Sequence, residues 1–182
     1  MSFTDADLIA RVLSHEDHNA FGELVRRYQS PVRAFLTRMT RGDLHLADDL
    51  AQETFLKAWQ KLQTFRGTAK FSTWLFGIAF NEFRGAARKR KDLALDGIEG
   101  TLLEEPAAAR DSHLRLDLTE ALKLLNSNER AAVLFCCQNG LSHEEAAQIL
   151  DCPLGTVKTN VLRGKEKLRR HLALAYKNYE SA

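Results

Sequence analysis

Lys158, Thr159, Asn160, Leu162 and Arg163 crowd into a single stretch near the end of the chain. These are side-chain types that bond base edges and phosphates in the major groove of DNA. Catalytic chemistry has no comparable concentration of candidates. The histidines (His15, His18, His45, His113, His143 and His171) are scattered, and no nucleophile–base pair or phosphate-binding loop accompanies them. An enzyme is therefore not expected, nor a cofactor. The three cysteines, Cys136, Cys137 and Cys152, make an odd number without the spacing of a metal site. Adjacent helical residues project in different directions, so Cys136 and Cys137 read as core or half-buried thiols, and no metal is expected.

Recognition residues need a rigid element to present them. The surrounding segment, Leu141–Arg163, reads as two short helices across a tight turn. Ser142 and Glu145 have the spacing of a capping box, which starts the first helix at Ser142. Ala147, Leu150, Leu154, Val157 and Val161 recur every three or four residues, predicting one buried stripe through both helices. Pro153 suits the first position of the second helix. The five recognition candidates are then left on the outer face, as in a helix-turn-helix.

The rest of the chain carries the same helical period. Thr4 is the expected cap of a first helix, with Phe3 and Leu8 placed to staple it. Further helices are expected over about 19–39, bent at Pro31, over about 46–62 and over about 72–90. A second group covers about 114–125, 128–139 and the helix-turn-helix, whose last helix continues to about Tyr176. Between them, residues 92–113 combine acids, Gly, Ala and one Pro without periodicity, as a linker would. The expected fold is all-α: two small helical bundles, 1–91 and 114–182, joined by a flexible acidic linker.

Charge follows the same division. Residues 1–91 carry 15 Lys/Arg against 10 Asp/Glu, residues 92–113 carry one against six, and residues 114–182 carry 10 against 8. Two basic blocks around an acidic connector suggest two nucleic-acid-facing domains. No apolar run approaches the 18–20 residues or so of a membrane span, and no signal peptide follows Met1. A cytoplasmic protein without stable membrane insertion is expected.

Three blocks, in this order, carry a family resemblance. They are Asp48-Asp49-Leu50-Ala51-Gln52-Glu53-Thr54-Phe55-Leu56-Lys57-Ala58-Trp59, Phe71-Ser72-Thr73-Trp74-Leu75-Phe76-Gly77-Ile78-Ala79-Phe80-Asn81 and Gly155-Thr156-Val157-Lys158-Thr159. The chain resembles the extracytoplasmic-function (ECF) group of sigma-70 factors, the promoter-recognition subunits of bacterial RNA polymerase. It departs at Phe80, where arginine is common, and at Gly85-Ala86-Ala87, where polar residues are common.

In the first block, Asp48, Asp49, Gln52 and Glu53 fall on adjacent turns of one helix and form an acidic, hydrogen-bonding surface, while Leu50, Phe55, Leu56 and Trp59 can turn inward. The resemblance implies that the acidic surface docks on the polymerase β′ coiled coil, with the β flap a further contact. For the second block it implies recognition and melting of the −10 element. Phe65, Arg66, Gly67, Lys70 and Phe71 would hold a flipped base, with Trp74, Asn81 and Arg84 on the adjoining helix. Extruding bases costs a few kcal/mol each, which an aromatic and polar pocket offsets. Arg88 and Lys89, in the run Arg88–Lys91, are suited to phosphates. For the third block it implies −35 recognition by Lys158, Thr159, Asn160, Leu162 and Arg163. The implied partners are core RNA polymerase, promoter DNA and an anti-sigma factor. The alternative from the residues is a helix-turn-helix regulator whose N-terminal domain senses a signal or dimerises.

Overall fold

The computed structural model describes the backbone of residues 3–95 and 113–180, and the side chains of residues 3–90 and 118–173. Among these residues every regular element is helical: α1 (Asp5–His15), α2 (His18–Met39), α3 (Leu44–Lys61), α4 (Phe71–Leu95), α5 (His113–Lys123), α6 (Ser127–Val133), α7 (His143–Leu150) and α8 (Leu154–Glu180). A 3-10 turn, Leu62–Thr64, follows α3, and a π turn, Leu134–Gln138, prolongs α6. The expected linker, 92–113, lies for the most part outside the described residues. Two compact units result. One comprises the chain up to Leu36 and resumes at His45; the other takes in Thr37–Leu44 and α5 to α8.

In the first unit, both helix starts are held by side chains. Thr4 Oγ1 accepts from the Asp7 amide at 3.2 Å, and the Asp7 carboxylate accepts from the Thr4 amide at 2.9 Å. The carboxylate of Asp17 accepts from the amides of Asn19 and Ala20, which otherwise have no partner in the first turn of α2. Phe3 does not lie folded away beneath its helix; it is half exposed, with the Arg11 guanidinium 4.9 Å from its ring. Helix α2 continues through Pro31 despite the missing amide donor. Val32, Phe35 and Leu36, just beyond it, are fully buried. Burying side chains of this size contributes roughly 1.5–3 kcal/mol each, which outweighs a local proline cost of about 3 kcal/mol. Phe35 meets Phe76 of α4 edge-on at 5.6 Å, so the middle of α4 is anchored in this core.

The second unit packs α5, α6 and α7 against α8. Asn126 and Glu129 form a capping box at the start of α6, earlier than the helix expected at Asn128. Ser142 and Glu145 form the box expected for α7. Asp151 closes α7 in the left-handed conformation (φ 49°), which a short polar side chain tolerates. Pro153 lies one position earlier than expected: it precedes α8, and its carbonyl accepts from the amides of Thr156 and Val157. The buried stripe is also narrower than periodicity suggests. Ala146, Val157 and Val161 are buried, whereas Ala147, Leu150 and Leu154 remain half exposed.

Glu129 ties α6 to α8. It accepts from the Asn126 amide at 3.1 Å and from Lys167 Nζ at 2.7 and 3.0 Å. Burial raises the carboxyl pKa, but the bonds from Lys167 and Asn126, with Arg163 nearby, hold it below the ordinary glutamate value. A depressed folded-state pKa stabilises the fold above the unfolded pKa, and that contribution disappears as pH falls through the folded value. Glu129→Gln is therefore expected to cost about 1–2 kcal/mol at pH 7, with Lys167 partly screened by water. The difference from wild type should shrink below about pH 4.3. Urea denaturation of both proteins across pH 3–7 checks this. A penalty independent of pH would assign Glu129 a packing role only.

Candidate nucleic-acid and polymerase interfaces

The loop between α3 and α4 brings the aromatic candidates together. Phe65 lies 5.4 Å from Trp74 and 5.8 Å from Phe71, ring centre to ring centre, and Trp74 lies 5.6 Å from Phe71. Tyr28 of α2 closes the cluster, edge-on to Phe71 at 5.4 Å. Phe71 proves to be the first residue of α4 and is buried, so it supports the loop from below and is not part of it. Phe65 and Trp74 are half-buried and offer aromatic surface to solvent. Arg66 and Lys70 are exposed, and Gly67 takes a positive φ of 69° with open space around it, a conformation side chains rarely adopt.

Along α4, Trp74, Asn81 and Arg88 recur at intervals of seven and so follow one stripe. Asn81, Arg84, Arg88 and Lys89 are all exposed. The Arg84 guanidinium stands 5.8 Å from the ring of Phe80, which is itself buried. Next to Asn81, Glu82 accepts from Lys57 Nζ at 2.5 Å and fixes α4 against α3. An aromatic wall, an amide and a set of cations thus succeed one another along the loop and helix. Such a succession suits unstacked bases followed by backbone phosphates.

The acidic candidates on α3 divide. Asp48 is paired with Arg33 of α2, whose Nη2 donates to it at 2.8 Å. Asp49 is exposed and stands 3.3 Å from the His45 ring; Gln52 and Glu53 are exposed. Leu56 corrects the sequence reading: it does not turn inward but is 51% exposed, one turn beyond Gln52 and Glu53. The inward positions of α3 are already filled by Ala47, Leu50, Thr54 and Ala58. The exposed row is therefore Asp49, Gln52, Glu53 and Leu56, an apolar side chain at the end of a polar row, with Asp48 still solvent-accessible beside it in its pair with Arg33.

On α8, Lys158, Thr159, Leu162 and Arg163 are exposed, opposite the buried Val157, Val161 and Gly164. Asn160 is half-buried at the flank of this surface and not fully outward. Gly164 is a residue that sequence reasoning missed. A Cβ there would stand 2.6 Å from Val133 Cγ2, so α6 and α8 approach closely at this point. The cysteines are free thiols; Cys137 is exposed and Cys136 and Cys152 are half-buried.

Two units, one with an aromatic and basic strip beside an acidic helix and one with a helix-turn-helix, have the make-up of a DNA-binding protein. Comparison with known proteins specifies the class further. Residues 24–92 match sigma-70 region 2, and residues 115–168 match sigma-70 region 4. The ECF RNA polymerase sigma-E factor of Haemophilus influenzae is 32% identical, over 93% of this chain and 95% of its own length. Among solved structures, the sigma factor RpoE bound to the anti-sigma factor NepR, from Bartonella quintana, is similar with a TM-score of 0.75. It is 30% identical over 84% of this chain and 96% of that one. CnrH in complex with the cytosolic domain of CnrY gives a TM-score of 0.67 at 26% identity, over 93% and 97% of the two chains. The chain belongs to the ECF group of the sigma-70 family. It is a sigma factor, a protein that directs RNA polymerase to promoters. The match to region 2 removes the reading of its first unit as a sensing or dimerisation domain.

Proposed function

We propose that the three surfaces divide promoter initiation among them, in a cytoplasmic initiation factor that is not an enzyme. The outward face of α8 reads the −35 element in the major groove, through Lys158, Thr159, Leu162 and Arg163 with Asn160 at the edge. Phe65, Arg66, Gly67 and Lys70, supported by Phe71 and Trp74, hold a base flipped from the −10 element. Asn81 and Arg84 follow the separated strand, and Arg88 and Lys89 hold phosphates. Asp49, Gln52, Glu53 and Leu56 dock on the β′ coiled coil of core polymerase, with Asp48 held at the margin by Arg33; the β flap is a second polymerase contact. The domains are 1–91 and 114–182, with 92–113 between them. Because RpoE and CnrH are seen in complexes, one of them with an anti-sigma factor, an anti-sigma factor is proposed as a regulator here too.

The observation that carries this reading is the continuous strip from Phe65 and Trp74 through Asn81 to Arg88. It is tested by transcription from a duplex promoter and from one with a pre-melted −10 bubble. Phe65→Ala is expected to lower activity at least about fivefold on the duplex, since a lost stacking platform is worth about 1–3 kcal/mol per base. The bubble should restore most of that loss. Arg163→Ala should be impaired on both templates, because the −35 element is duplex in each. No effect of Phe65→Ala or Asn81→Ala on either template would remove the melting assignment.

A further inference from the structure

Burial of Val157, Val161 and Gly164 fixes the rotation of α8, and the helical period then places Thr159 at the centre of the opposite face. The polar group of that central residue is not offered outward. Thr159 Oγ1 donates to the Gly155 carbonyl of its own helix at 2.8 Å, so the side chain presents its methyl group. Beside it, one turn on, Leu162 is 68% exposed, more than any other large hydrophobic side chain among the described residues. Glu166, next along the face, is engaged by Arg170 at 2.5 Å. Gly155 has open space where a Cβ would be, so a duplex can come close one turn earlier. The middle of the reading surface is thus apolar, with cations at Lys158 and Arg163 on its margins.

In the major groove, one base feature matches an apolar centre: the C5-methyl group of thymine. We propose that Thr159 and Leu162 form an apolar pair that reads thymine methyl groups in the −35 element, while Lys158 and Arg163 supply the flanking polar contacts. The proposal rests on the −35 reading above and specifies which chemistry it uses. It also accounts for a leucine left in water beside Thr159, between the cations of this face.

The test uses holoenzyme reconstituted from core polymerase and the full chain. A −35 sequence is first selected from random duplexes, and each thymine in it is then replaced singly by deoxyuridine, which removes only the methyl group. At one or more positions the wild-type holoenzyme should bind about fourfold more weakly, the worth of one buried methyl group. Leu162→Ala or Thr159→Ser should bind the thymine duplex more weakly and lose discrimination at a position that wild type distinguishes. Thr159→Val, which keeps the methyl and removes the hydroxyl, should retain it. Arg163→Ala should weaken both duplexes and leave their ratio unchanged. Thr159, Leu162 and Arg163 are all exposed, so unaltered circular dichroism is expected for every variant. If wild type selects a −35 sequence but ignores every thymine-to-uracil change, or if Leu162→Ala discriminates as wild type does, the apolar pair is wrong while −35 reading stands. Absence of any −35 selection by wild type would overturn both.

Discussion

Leu56→Asp is expected to weaken binding to core polymerase by at least about thirtyfold, because truncating or charging an interface anchor typically costs 2 kcal/mol or more. Leu56 is half exposed at the end of a row of hydrogen-bonding side chains, and no core position of α3 depends on it. An apolar side chain in that setting gains little from its own fold and gains most when a partner covers it. The substitution should therefore leave helical circular dichroism and thermal unfolding unchanged. Reversing Asp49 and Glu53 to lysine should act differently, slowing association and flattening its salt dependence, since exposed charges govern encounter more than residence. Asp48 is a poorer test of the surface, because its reversal would also set two cations against each other at Arg33. Core affinity unchanged by Leu56→Asp and by the Asp49/Glu53 reversal would remove α3 from the polymerase interface.

Gly164→Val is expected to destabilise the second unit by about 3 kcal/mol or more and to abolish −35-dependent transcription. A Cβ at this site meets Val133 Cγ2 at 2.6 Å, the Glu129 carbonyl at 3.5 Å and Leu125 Cδ1 at 3.6 Å. Inserting methyl groups into a packed contact costs roughly 1–3 kcal/mol, and valine brings three carbons where one already collides. Gly164→Ala is the milder probe, its collision offset by about 1 kcal/mol of better helix propensity. Val133→Ala removes the colliding methyl and leaves a cavity of its own. The double variant should then lose less stability than the two single variants combined, by roughly 0.5–3 kcal/mol. Strict additivity would show that α6 and α8 are not in contact at this glycine. Because the collision lies opposite the reading face, DNA contacts would be lost through displacement of α8 and not through a missing contact.

Much of this was legible from residue order because it depends on local physics. The cap at Thr4 and the capping box at Ser142 act over three residues, and each helix begins next to the cap that the sequence predicts. The all-helical fold followed from apolar spacing, and the family from three blocks in a fixed order. Helix ends were less legible: α4 begins at Phe71, whose ring packs edge-on against Tyr28, and its backbone runs to Leu95. The Asn126–Glu129 spacing was an available signal for the start of α6 that periodicity alone overlooks.

Periodicity states which side chains share a face but not which face is covered. For that reason the orientation of Leu56 was misread: its spacing from Leu50 and Phe55 is equally compatible with core or surface. The packing of α3 through Ala47, Leu50 and Thr54 decided the matter. The pairing of Asp48 with Arg33, the ion pair between Lys57 and Glu82, and the collision awaiting any side chain at Gly164 are of the same kind. Each joins residues 15 or more positions apart, so no local rule contains it. The sequence by itself determined the class of protein, the helices and the residue types available for DNA and polymerase. Tertiary structure decided which of those residues stand in water, because exposure is set by the neighbouring helix and not by the chain on either side.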